Sequence, residues 1–164
     1  MNRHDSIIPS FIDNLVIRAR ALLPGVNISD GEPVINNSGD YLGIGTEDPI
    51  PDRSYSAESE QRRVGATRTS GREEDGTLVC SAYTWHADLR DDAAKVARDK
   101  LFAILAVVSD ELRDNPGLES TPGNPATRVQ GLQWSEIAST QLVQWQQDGT
   151  QALLVFRIHF RARI

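Results

Sequence analysis

The strongest pattern in the chain lies between Asp91 and Asn115, where apolar residues recur at steps of three and four. Ala94, Ala97, Leu101, Ile104, Leu105, Val108 and Leu112 share one side of a 3.6-residue helix, and Asp92, Lys95, Asp99 and Arg113 fall toward water. The spacing predicts a helix over about 91–115, capped by Asp91 and stopped by Asn115-Pro116-Gly117. A second stripe of Ile8, Phe11, Ile12, Leu15, Ala19, Leu22 and Leu23 predicts an N-terminal helix over about 7–23. It begins close to Pro9 and ends at Pro24-Gly25, because proline is tolerated only in a first turn.

Elsewhere the period changes to two. Val26 and Ile28 alternate with Asn27 and Ser29 ahead of an Asp30-Gly31 turn. Over 39–46, Leu42 and Ile44 oppose Gly43 and Gly45, which reads as a strand closely approached by a neighbour. Over 77–87, Val79, Tyr83 and Trp85 face one way and Leu78, Cys80 and Ala82 the other, so this is a central strand feeding the long helix. Beyond a Pro/Gly connection over 117–126, strands are predicted over 128–137 and 140–147, and Asp148-Gly149 is a hairpin signal into a last strand over 150–164. That strand sends Ala152, Leu154, Phe156, Ile158, Phe160 and Ile164 to one face. Its other face starts with Leu153 and Val155 and becomes a cationic ladder of Arg157, His159, Arg161 and Arg163. The fold class is therefore α+β: a mostly antiparallel sheet with two helices packed on it, in one domain of 164 residues.

One stretch departs from both periods. Residues 51–76 are polar, mixed in charge and nearly free of aliphatic side chains, and they read as a long polar loop, a flexible arm. Arg62, Arg63, Arg68 and Arg72 give it a basic middle flanked by Glu58, Glu60, Glu73 and Glu74. Such an arm is either a solvated loop or a segment that orders against a neighbouring subunit. The terminal-strand residues Arg157, His159, Arg161 and Arg163 read as a solvated sheet face, as a face that meets acidic groups of another chain, or as a phosphate contact, so these eight are the candidate interface residues.

Composition narrows the function classes. A formal net charge of −6 and a pI near 5.0 argue against a protein whose main task is gripping nucleic acid. Cys80 is a lone cysteine inside a strand and is expected to be a buried thiol. No apolar run is long enough for a membrane span, and Arg18 and Arg20 interrupt the N-terminal apolar stretch, so a cytoplasmic protein is expected. Gly43-Ile44-Gly45 lacks the third glycine and the following helix of a dinucleotide fingerprint. His4, His86 and His159 share no motif, and His86 is expected to be a hydrogen-bonded structural residue. Trp134 and Trp145 are expected to pack in the core. With no nucleophile and base, carboxylate pair or metal cluster at a recognisable spacing, no enzyme, cofactor or metal is expected.

The ordering of these signatures, with DGEP at 30–33, DYLGIG at 40–45, the polar arm, the Trp85 strand, ARDKLFAILAVVSDELRDNPGL at 97–118 and a basic last strand, resembles the tail terminator proteins of long-tailed bacteriophages. The resemblance covers most of the chain. It implies a small non-catalytic virion subunit without cofactors, forming a ring, usually of six, at the neck end of the tail. Such a ring caps the tail tube, stops its polymerisation and offers a surface to head–tail connector proteins. Its implied partners are further copies of itself, the tube protein and the connector, with no membrane and no specific nucleic-acid binding although DNA passes through the ring. Assembly would occur in the host cytoplasm. A head–tail connector adaptor or a minor tail protein of the neck is the alternative, and a small binding module is the reading from a different class.

Overall fold

A computed structural model of the chain describes residues 5–49, 55–65, 71–87 and 91–164. Two helices, α1 (Ile8–Leu22) and α2 (Ala93–Asp114), accompany strands β1 (Asn27–Asp30), β2 (Gly39–Ile44), β3 (Ala57–Arg63), β4 (Arg72–His86), β5 (Leu132–Gln146) and β6 (Thr150–Arg163). They form one six-stranded sheet in the order β1-β2-β4-β6-β5, with β3 also paired to β4. Among the described residues only β1 and β2 run parallel. The α+β class and the mostly antiparallel sheet are as the hydrophobic pattern predicts.

Both helices lie on one face of the sheet, and the alternation of β6 explains why. Ala152, Leu154, Phe156, Ile158 and Phe160 all join the core with Leu42, Ile44, Leu78, Cys80 and Ala82. Phe160 stacks on Phe11 of α1 at 5.3 Å between ring centroids. The glycine opposite makes room for it, since a Cβ at Gly76 would lie 2.3 Å from the Phe160 ring. Gly43 is crowded as its sequence context predicts: a Cβ there would lie 2.7 Å from the Gly31 carbonyl. Burial holds the Cys80 thiol up at about 12, so it is an inert core group.

The stripes shift slightly from expectation. In α1, Val16 is buried while Leu22, the helix's last residue, is exposed. In α2, Ala93 and Glu111 lie on the buried stripe and Ala94 and Leu105 on its flank. Asp91 lies outside the helix, and Asp92 at the cap position makes no side-chain capping bond. The two expected strands 128–137 and 140–147 are a single β5, whose register shifts at Leu132/Trp134 and Ile137/Ser139 disguise its continuity.

The largest difference concerns the polar stretch 51–76. Residues 57–63 are β3, and β4 begins at Arg72 rather than near Thr77. Apolar patterning misses this because a hairpin strand exposed on its outer side needs no apolar residues to pair its backbone. A charged residue there is deeply buried. Glu74 is fully enclosed, and its carboxylate accepts from Ser6 Oγ at 2.5 Å and from the Ile7 N–H at 2.9 Å. It thereby satisfies the start of α1 from across the fold, where a negative charge also suits the helix dipole.

Candidate subunit interface

The sheet face away from the helices carries the polar chemistry. Register puts Asp75, Thr77, Val79, Ser81 and Tyr83 of β4 on this face opposite Arg161, His159, Arg157, Val155 and Leu153 of β6. The segment after β2 folds across its middle, with Thr46 Oγ1 2.6 Å from Ser81 Oγ. Asp48 then reaches Arg157 in a two-point ion pair, Oδ1 to Nη2 at 2.6 Å and Oδ2 to Nε at 2.9 Å. Both side chains are almost fully enclosed, at 0% and 9% exposure. Donating these hydrogen bonds to Asp48 raises the Arg157 pKa further, against the opposing effect of burial. Gln141 and Ser139 of β5 complete the guanidinium's shell at 3.3 and 3.4 Å.

The sequence-derived candidates separate into two groups. Arg157 lies inside its own chain and meets an acid there. Arg62, Arg161 and Asp75 meet at the far end of the sheet, where Asp75 accepts from Arg161 at 2.9 and 3.1 Å and from Arg62 at 3.2 Å. Hydrogen bonding by Arg161, more than by Arg62, lowers the Asp75 pKa. Arg63 and Arg72 are register partners beside this group, and Arg163 is paired with Glu73 in register. Arg72 bonds Gln61 at 3.1 Å and Asp5 at 3.4 Å. His159 meets Trp134 edge-on at 5.1 Å, and the Arg161 guanidinium lies 5.8 Å from the Trp134 ring centre. Arg68 lies outside the described residues. The fold thus places Arg62, Arg63 and Arg72 of the arm beside Arg161 and Arg163 of the last strand, which the sequence gives no means of seeing.

Trp134 and Trp145 are corrected from core to this outer face. Opposite Arg161 and Gln151, they point away from the helices and are half-buried. Trp145, Tyr83 and Tyr41 form a row with 6.2 Å between successive rings. His86 accords with its structural reading, 3.1 Å from Asp40 Oδ1. A third buried acid escaped sequence analysis: Glu111 of α2 holds Arg18 of α1 at 2.7 Å. Burial raises its pKa, and the hydrogen bonds of Arg18 and Asn115 overcome that to give a net lowering. Among the described residues no group of three or more His, Cys, Asp and Glu side chains could hold a metal, and no helix is long and apolar enough to cross a membrane.

The feature with the clearest capacity for partners is the β5 edge. Among the described residues nothing pairs with its outer side. Its fifteen residues, LQWSEIASTQLVQWQ, contain no proline and one charge, Glu136. Soluble proteins blunt such edges with lysine, proline or short strands, because unpaired N–H and C=O groups accept any strand.

No family model matches the sequence, and no curated protein matches it. The fold does have a match among solved structures: a chain from the virion of a native gene transfer agent particle, at 13% identity with a TM-score of 0.54. The alignment covers 98% of this chain and 100% of that one. At that identity the likeness establishes a shared fold.

Proposed function

We propose that this chain is a structural virion subunit of the phage tail neck, a tail terminator that forms a ring on the finished tube. The observation that carries the reading is end-to-end agreement in fold with a chain of a gene transfer agent virion. The ordered signatures DYLGIG, the long α2 segment and the basic last strand point the same way. An unblunted 15-residue edge strand suits a protein whose destiny is assembly. The reading assigns the chain a single domain, no catalysis and no cofactor, and gives it copies of itself, the tube protein and the connector as partners. The arginine group around Asp75 is the charged part of the contact surface.

A tube grows by a repeating heterologous interface that does not close by itself, so growth ends when a different subunit takes the open end. Particles made without this protein are therefore expected to have normal heads and unjoined tubes of variable or excessive length. Electron microscopy of lysates from an amber mutant reads this directly. Uniform tubes of wild-type length left unattached would assign the chain to a connector adaptor instead. Normal joined particles would remove it from the neck.

A further inference from the structure

We propose that β5 is completed by β3 of a second copy, head to tail, in the register that sets Glu136 against Arg62 and Trp134 against Val64. This rests on the ring reading above and specifies its contact. The strands β3, β4, β6 and β5 lie side by side, and Glu58, Thr77, His159 and Glu136 occupy one level across them. Among the described residues β3 and β5 are therefore the two free edges of this four-strand section, with β2 and β1 continuing the β3 side above Val79. Each neighbour is antiparallel, so β3 runs opposite to β5. A second copy brought alongside, inclined as in a ring so that its β1 clears the Gln146 end of β5, presents its β3 antiparallel to β5 with the same faces up.

The side chains select the register. With no stagger, Glu136 would face Glu58 of the next copy, and directly opposed like charges repel. Moving four residues along β3 keeps every side chain on its face and replaces Glu58 by Arg62. Arg62 and Glu136 are both exposed, and Arg62 can turn from Asp75 to Glu136 because Arg161 still holds that carboxylate at two points. The same shift sets Val64, an exposed valine just past β3, against the half-buried Trp134, a β-branched and aromatic pair of the kind that stabilises antiparallel strands. A stagger between successive copies is also what a sheet needs in order to curve and close. The alternative of two β5 edges meeting symmetrically brings two copies of the same acid together and stops at a dimer.

The test uses the full chain, with assembly measured by native mass spectrometry and light scattering. Glu136→Arg alone and Arg62→Glu alone are each expected to raise the concentration needed for half-assembly about tenfold, and the charge-swapped double variant to restore it to near the wild-type value. A Glu136→Cys/Arg62→Cys variant should give, on oxidation, a covalent ladder ending at the full ring. Native Cys80 is fully buried and does not compete. Covalent dimers from Glu136→Cys alone would establish symmetric edge pairing and overturn the proposal. Rings that form regardless of all these changes and yield no ladder would overturn this contact and leave the ring reading standing. A wild-type chain that stays monomeric at every concentration would overturn both.

Discussion

Asp48→Ala is expected to lower stability by about 3–5 kcal/mol, the cost of leaving one member of an enclosed ion pair without its partner. Among the described residues, the hydrogen bonds left to Arg157 would be those to Gln141 and Ser139, neutral groups at 3.3 and 3.4 Å, around a guanidinium that is 9% exposed. For a chain of this length the melting temperature should fall by about 10 °C or more. The double replacement Asp48→Leu/Arg157→Met should recover much of that loss, since well-packed apolar residues commonly equal a buried pair. Thermal unfolding of the three variants decides the matter. A fall of under about 2 °C for Asp48→Ala would mean that water, not Asp48, solvates the guanidinium. The same result would detach the 46–49 segment from its role as cover for the middle of the sheet.

Leu101→Asp is expected to abolish folding. Leu101 is fully enclosed on α2, where that helix lies across β4 and β6, and it belongs to the hydrophobic core cluster. A carboxylate placed there costs several kcal/mol in desolvation on top of the lost apolar burial. That consumes most of the 5–15 kcal/mol typical of a whole domain. Leu105→Asp, on the flank of the same stripe, should fold with a reduced melting temperature, since Leu105 is half-buried. Far-ultraviolet circular dichroism separates the two, and a cooperative transition for Leu101→Asp near the wild-type temperature would show that the α2 stripe faces elsewhere.

Apolar periodicity made the helices, the central strands and the α+β class readable. The inward face of β6 from Ala152 to Phe160 is as the alternation predicts residue by residue, although Val155 and Arg157 on the opposite face are buried as well. Periodicity failed where pairing does not depend on apolar side chains. β3 carries six exposed residues out of seven, and its place in the sheet comes from the β4 backbone beside it. Extending the even-numbered face of β4 back from Cys80 through Leu78 and Gly76 would have put Glu74 inside, so one signal for that cap was present. The Asp48–Arg157 and Arg18–Glu111 pairs had no such signal, because their members are far apart in sequence and meet only once the fold exists. The interface candidates were visible as cationic residues. Which of them already spend their charge within the chain was not.

One strand of the sheet has two neighbours along a single side. β4 pairs with β3 from Arg72 to Leu78 and with β2 from Cys80 to Trp85. Val79 stands at the change of partner, its carbonyl receiving the Gly45 and Thr46 N–H groups and its own N–H going to the Ser56 carbonyl. The consequence is one of time. The β3 amides can meet solvent deuterium whenever the hairpin alone unzips, whereas those of β4 above Val79 sit between two core strands and wait for the whole sheet to open. Hydrogen exchange along this one strand should run on two clocks, a fast one below Val79 on the β3 side and a slow one above it, and docking of a neighbour on β3 should slow only the first.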